Sequence, residues 1–228
     1  MRQLPLGVRI PDRAVFDSFL PGANREALEH AVAIAEGAAS GGTWICGGSG
    51  AGKTHLLQAI CARASERARA GYVPLRQIAP LGVGILDGLP QLQYLCLDDI
   101  DAVIGRADWE QALFGLVHEM VDTDGRLVVA AKSPPRLLHW ALPDLGSRFA
   151  AVAVFQLRAL DEPEQQEALQ LRARLRGLTI PDETVRWLQR RFPRDMHSLY
   201  GLLDTLDEAA LVAQRRLTVP FIRSVLKE

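Results

Sequence analysis

Gly47-Gly48-Ser49-Gly50-Ala51-Gly52-Lys53-Thr54 decides the fold class of this chain, because it matches the G-x-x-x-x-G-K-[ST] pattern of the phosphate-binding P-loop. Residues 43–46 just before it are typical of a short buried strand, and the apolar residues 55–60 after it open a helix. In such a loop the glycines let backbone N–H groups turn inward around a phosphate, and the helix N-terminus adds partial positive charge.

Two side chains of this loop supply the remaining chemistry. We expect Lys53 to reach the β- and γ-phosphates of a nucleotide and the Thr54 hydroxyl to bind Mg²⁺. The alternative is a glycine-rich turn that matches by chance. The chain has only three lysines beside 23 arginines, so a chance lysine at this position would be rare. The sequence therefore predicts that residues 47–54 bind ADP or ATP with Mg²⁺.

Composition limits the class of protein. A length of 228 residues suits one large domain, or one with a small satellite. The formal net charge of −1 argues against a protein held on DNA mainly by its own charge. The three cysteines have neither metal-ligand spacing nor a disulfide framework, which is typical of a protein in the reducing cytoplasm. Without an apolar run of membrane-spanning length or a signal-peptide pattern, we expect no membrane partner.

Strand and helix patterns alternate as far as about residue 158. Short apolar segments predict strands at 43–46, 72–75, 93–97, 127–131 and 152–157. Helical spacing predicts helices at 25–39 and 108–121. This alternation predicts an α/β fold with a parallel five-stranded sheet between helices.

Beyond residue 160 the pattern changes to helices alone. Asp161-Glu162-Pro163-Glu164 is a strong helix start, and further helices are predicted at 181–191, 195–215 and 219–226. We predict a nucleotide-binding α/β domain over residues 11–158 and a small all-helical lid domain over 159–228, with a separate N-terminal peptide at 1–10.

The end of the third predicted strand supplies the second part of the nucleotide site. Residues 93–97 are followed by Asp98 and Asp99, the Walker B form, in which the first carboxylate supports Mg²⁺ and the second polarises an attacking water. We expect Asp98 to bind Mg²⁺ and Asp99 to be the candidate general base. The alternative at any strand end is a solvated acid, which is what we expect of Asp101.

The P-loop, the following His55–Ala59, the Asp98–Ile100 segment and the trailing helices resemble the AAA+ domain of the bacterial initiator DnaA, as does Val15–Phe19 upstream. Other stretches are similar to the Hda family of DnaA-related regulatory inactivators, at residues 71–75, 142–148, 168–177 and 213–221. The resemblance implies an AAA+ P-loop fold with a helical lid. The DNA-binding and N-terminal domains of the initiator have no counterpart, so we expect a regulator.

The resemblance also implies two sites that act on other molecules. Gln3, Leu4 and Leu6 match a short sliding-clamp-binding motif, in which the glutamine hydrogen-bonds at a pocket rim and the leucines fill an apolar groove. A terminus without a partner is the alternative. Arg148 matches the arginine finger, which stabilises charge on a nucleotide bound by a neighbouring subunit. Its alternative is a local ion pair with Asp144.

At the sensor positions the sequence departs from the family. Ala131 and Lys132 lie where a small polar or acidic sensor usually lies, and His197 lies where the resemblance implies a sensor arginine. A neutral imidazole is a shorter and weaker phosphate ligand than a guanidinium. Alternatively, His197 is a surface residue and Arg194 substitutes for it. We therefore do not expect strong intrinsic ATP hydrolysis, while the P-loop alone can still hold ADP.

Together the resemblance implies a negative regulator of replication initiation in the bacterial cytoplasm, brought to the nucleoid by its partners. It would hold ADP, dock on a DNA-loaded sliding clamp through residues 3–6 and present Arg148 to ATP bound by the AAA+ domain of DnaA. DNA is reached indirectly through the clamp, and a homo-oligomer is compatible with the sequence. Two alternatives stay open: an autonomous P-loop ATPase such as a helicase loader, and a nucleotide-stabilised adaptor without effect on hydrolysis.

Overall fold

A computed structural model of the chain describes residues 14–192, 196–213 and 217–226, except the side chains at 197, 208, 210–213 and 226. Its strands are β1 (Gly42–Gly47), β2 (Ala70–Pro74), β3 (Tyr94–Asp98), β4 (Arg126–Ala131) and β5 (Ala153–Leu157). They form one five-stranded parallel sheet in the order β2-β3-β4-β1-β5. The predicted fold class is confirmed.

Helices cover both faces of this sheet. They are α1 (Arg25–Ala35), α2 (Lys53–Ser65), α3 (Leu75–Ile78), α4 (Ala107–Asp122) and α5 (Pro143–Ala150). Successive residues of a strand point to opposite faces, so Trp44 of β1 packs in the cluster formed with α4 and α5, whereas Ile45 packs in the cluster formed with α1 and α2. Burial on both faces explains why the strands are continuous apolar runs.

The end of α1 differs from the sequence-based expectation. A helix reaching residue 39 was predicted, and this was wrong, because α1 ends at Ala35. Gly37 adopts a left-handed φ of 79°, and the N–H of Ala38 donates to the carbonyl of Ala33 at 2.8 Å. A left-handed glycine followed by such a bond is a common helix end.

A second compact unit contains residues from Ala159 onward together with Leu20–Gly22. Its helices are α6 (Glu162–Leu175), α7 (Asp182–Arg191), α8 (Met196–Ala213) and α9 (Val219–Leu226). Asp161 and Glu164 each accept the other's backbone N–H at 2.9 Å, which caps the start of α6 as the sequence predicts. No helix among the described residues combines the length and the apolarity needed to cross a membrane.

Candidate nucleotide site

Residues 47–54 join the end of β1 to the start of α2. Gly50 and Gly52 have φ values of 75° and 96°, which favour glycine. A Cβ at Gly52 would lie 2.7 Å from the Phe19 ring, whereas a Cβ at Gly48 would meet no atom within 4 Å. The loop is therefore tightly packed at its helix end and open at its tip, as a phosphate cradle requires.

Lys53 lies across the base of this loop. Its side chain is buried, and its Nζ donates to the carbonyl oxygens of Gly47 and Gly48, both at 2.8 Å. An ammonium group has three N–H donors, so one is left for a phosphate oxygen. The geometry fits the predicted phosphate contact of Lys53.

The structure brings together the two residues predicted to hold Mg²⁺. The Thr54 hydroxyl donates to Oδ2 of Asp98 at 2.7 Å, although 44 positions separate the two in the sequence. Hydroxyl and carboxylate oxygens are ligands that Mg²⁺ prefers, so this pair fits the ion. Burial of Asp98 raises the pKa of its carboxyl group, and the hydrogen bond from Thr54 opposes that shift.

Sequence analysis missed a third member of this group. The Tyr72 hydroxyl on β2 donates to the same Oδ2 of Asp98 at 2.8 Å. Burial and the neighbouring Asp98 carboxylate raise the pKa of Tyr72, so the phenol stays a donor. A hydroxyl inside a mostly apolar strand was the signal that could have identified it.

Asp99, the candidate general base, has a partner of its own. It adopts a left-handed φ of 54° and starts the short helical turn Ile100–Ala102. Its Oδ2 accepts from Nε of Arg76 at 3.1 Å, where both side chains are partly exposed. A base that already binds a guanidinium is less available to polarise water.

Asp101, expected to be a solvated acid, is partly exposed and also has a structural contact. Both of its carboxylate oxygens accept the backbone N–H of Lys132, at 3.1 and 2.9 Å. Asp101 thereby holds the segment that follows β4, where the sensor positions lie. Ala131 is fully buried in the sheet and offers no polar side-chain atom, and the Lys132 side chain is exposed.

Gln3, Leu4, Leu6 and Arg194 lie outside the described residues. His197 lies in the first turn of α8, and its side chain is also outside the description.

Arg148 lies in the last turn of α5, a helix that was not predicted. Its guanidinium carbon lies 4.8 Å from the centroid of the Phe114 ring on α4. The alternative of an Arg148–Asp144 ion pair is not found, and Asp144 is exposed. Within the described residues, Arg148 pairs with an aromatic face and with no carboxylate.

Both units of the chain match known protein families. Residues 161–226 match the family described as the Hda lid domain, and residues 10–75 match the bacterial DnaA ATPase domain. Sequence similarity to these two families therefore covers the P-loop and nearly the whole helical unit.

Several solved structures share the fold. Domain III of the Thermotoga maritima replication initiation protein DnaA is 20% identical, with a TM-score of 0.77, and the match covers 95% of this chain and 97% of that one. AMPPCP-bound DnaA from Aquifex aeolicus is 22% identical, with a TM-score of 0.72, covering 86% and 65%. The RuvB Holliday junction branch migration motor of Thermotoga maritima is 17% identical, with a TM-score of 0.61, covering 92% and 69%.

Proposed function

The chain is an AAA+ protein of the Hda/DnaA family, and from that premise we propose that it is a negative regulator of replication initiation. In this proposal it binds a nucleotide, chiefly ADP, and stimulates hydrolysis of ATP held by DnaA. Its own site serves as a structural nucleotide site, and its main chemical contribution is made on the partner.

We call residues 47–54 together with Tyr72 and Asp98 the P-loop edge. This group would hold the chain's own nucleotide. The backbone of residues 47–52 and the Lys53 ammonium would bind phosphates, and Thr54 with Asp98 would hold Mg²⁺, which neutralises phosphate charge when bound. The Arg76 contact of Asp99 and the apolar side chain of Ala131 both weaken the case for hydrolysis at this site. Stable retention of ADP is the expected consequence.

The observation that carries the proposal is the state of Arg148. A guanidinium that rests on an aromatic ring keeps its positive charge and its N–H donors available to an incoming phosphate. When water attacks the γ-phosphorus of ATP on DnaA, charge builds on the phosphate oxygens, and Arg148 would stabilise it from the neighbouring subunit. Arginine fingers contribute about 10³–10⁵ in rate in other systems.

Docking on the sliding clamp is the second part of the proposal. Gln3, Leu4 and Leu6 would insert as an extended peptide into an apolar groove of a clamp loaded on DNA. Tethering to the clamp would raise the local concentration of this protein beside DNA-bound DnaA. If a variant without residues 1–7 bound the clamp as well as the full chain does, this part would be wrong.

The test is the hydrolysis rate of ATP preloaded on the cognate initiator, with clamp-loaded DNA and with this protein in its ADP form. We expect stimulation that falls by about 10³-fold in Arg148→Ala. Arg25→Ala, which removes an exposed arginine on α1, is the matched control and should keep the stimulation. If the unmodified protein did not stimulate hydrolysis, the proposal would be wrong.

The same assay without the initiator examines the autonomous alternative. Turnover by this protein alone, abolished by Lys53→Ala, would favour a P-loop ATPase such as a helicase loader. We expect that turnover to be far slower than the stimulated reaction on the initiator.

A further inference from the structure

We propose that α4 provides a seat for the arginine finger, in which Phe114 and Glu110 position Arg148 without neutralising its charge. The inference rests on the proposed function, because it gives these two residues a positioning role in the reaction on the partner's ATP. All three residues belong to the α/β unit.

Phe114 supports the guanidinium directly. The Arg148 carbon Cζ lies 4.8 Å from the centroid of the Phe114 ring, well within the range of a cation–π contact. Both side chains are half-buried, so the contact restricts the arginine while leaving part of it open to solvent. A carboxylate in the same place would hold the arginine more tightly but would compete with a phosphate for the same N–H donors.

Glu110 fixes the start of the helix that carries Arg148. Its side chain is 0% exposed, Oε1 accepts the N–H of Gly105, and Oε2 accepts the N–H of Leu142, both at 2.6 Å. Leu142 is the residue immediately before α5. Burying a carboxylate costs folding free energy unless its oxygens are hydrogen-bonded. Moving Leu142 or Gly105 would leave one oxygen of Glu110 without a donor, so these contacts fix the positions of both residues.

The two positioning residues act on opposite ends of α5. Glu110 and Phe114 are four residues apart on α4 and therefore share one face of that helix. One binds the backbone before the first turn of α5, and the other contacts Arg148 in its last turn. A short helix held at both ends leaves its arginine little freedom to move.

Glu110 also links this seat to the chain's own nucleotide site. Gly105 ends the loop that begins at Asp99, and hydrogen bonds inside that loop join Ala102 to Asp99 at 2.9 Å and Val103 to Ile100 at 3.0 Å. Glu110 therefore joins the end of this loop to the start of α5.

The first experiment examines the geometry without any partner. In the NMR spectrum of the ADP-loaded protein with labelled arginine, the ring current of Phe114 should shift the Arg148 side-chain protons upfield, with Arg148→Lys used for assignment. Phe114→Leu should remove that shift, and Phe114→Tyr should restore it. Identical Arg148 signals in the unmodified protein and Phe114→Leu would overturn the inference.

The second experiment measures stimulated hydrolysis of initiator-bound ATP as a function of the concentration of this protein. Phe114→Leu and Glu110→Gln should each lower the maximal rate about threefold to tenfold, because the guanidinium is less well oriented. The half-saturating concentration should not change. Phe114→Tyr should restore the rate, and Glu119→Gln, on the exposed face of α4, should leave it unchanged.

The outcomes separate this inference from the proposed function. If Arg148→Ala abolishes stimulation while Phe114→Leu matches the unmodified protein, the seat is wrong and the finger stands. If Arg148→Ala has no effect, the proposed function fails regardless of Phe114. If Phe114→Leu instead raises the half-saturating concentration at an unchanged maximal rate, Phe114 serves docking and the positioning role is overturned.

Discussion

The P-loop edge and the Arg148 helix belong to the same unit of this protein, yet they hold their charged groups in opposite ways. At the P-loop edge the charges are satisfied within the chain, since Lys53 binds two carbonyls and Asp98 accepts two hydroxyls. At α5, Arg148 contacts an aromatic ring and has no carboxylate partner among the described residues.

This difference suits two kinds of ligand. A site for the chain's own nucleotide benefits from preorganised groups that need little rearrangement when the ligand binds. A group that acts on another subunit's nucleotide must keep its charge uncompensated until that subunit arrives. The comparison therefore predicts that substitutions at the P-loop edge change the nucleotide affinity and the folding stability of this chain.

Among substitutions at the chain's own nucleotide site, the largest effect is expected from Lys53→Ala. Loss of a buried ammonium that contacts phosphate should weaken ADP binding about 100-fold, since a hydrogen bond to a charged group contributes about 1.5–3 kcal/mol. Lys132→Ala is the matched control, because Lys132 is exposed and its structural contact is made by its backbone N–H. Titration calorimetry measures both affinities, and equal weakening would mean that Lys53 is not a phosphate ligand.

A smaller effect, and a gain instead of a loss, is expected from Asp98→Asn. This substitution should stabilise the nucleotide-free protein. Burial raises the pKa of Asp98 in the folded chain, so the ionised carboxylate at neutral pH costs folding free energy. Replacing it with a neutral amide should raise the melting temperature of the nucleotide-free protein, by about 2–4 °C for each kcal/mol relieved. The same variant should lose the Mg²⁺ dependence of nucleotide binding.

The pH dependence of folding stability provides a separate test of the sign of this effect. Because the folded pKa of Asp98 lies above the unfolded one, the folded state binds the proton more tightly, and stability from this group falls as pH rises between the two values. The advantage of Asp98→Asn should therefore shrink as the pH is lowered through that window.

The smallest effect is expected from Tyr72→Phe. This change removes one of the two hydroxyl donors on Oδ2 of Asp98, and Thr54 retains the other. We expect ADP affinity in the presence of Mg²⁺ to fall about fivefold, the equivalent of one hydrogen bond of about 1 kcal/mol. Tyr94→Phe on β3 is the control, and an equal loss in both variants would indicate a general effect of the sheet.

Sequence patterns predicted the elements well where the signal is local. The strand before the P-loop, the capping box at Asp161 and the Walker B strand each lie within a few consecutive residues, and the structure contains all three. The end of α1 was missed because a single left-handed glycine, Gly37, overrides the helical spacing that continues past it.

The sequence by itself thus determined the parallel α/β fold, the P-loop strand–loop–helix arrangement and the helical lid, because hydrophobic periodicity and glycine spacing act between near neighbours. Only the tertiary structure decided which groups pair. Tyr72 with Asp98, Asp101 with Lys132, and Arg148 with Phe114 are joined across 26, 31 and 34 positions of the chain. Contacts of that kind depend on how strands and helices are stacked, and they leave no periodic trace in the sequence.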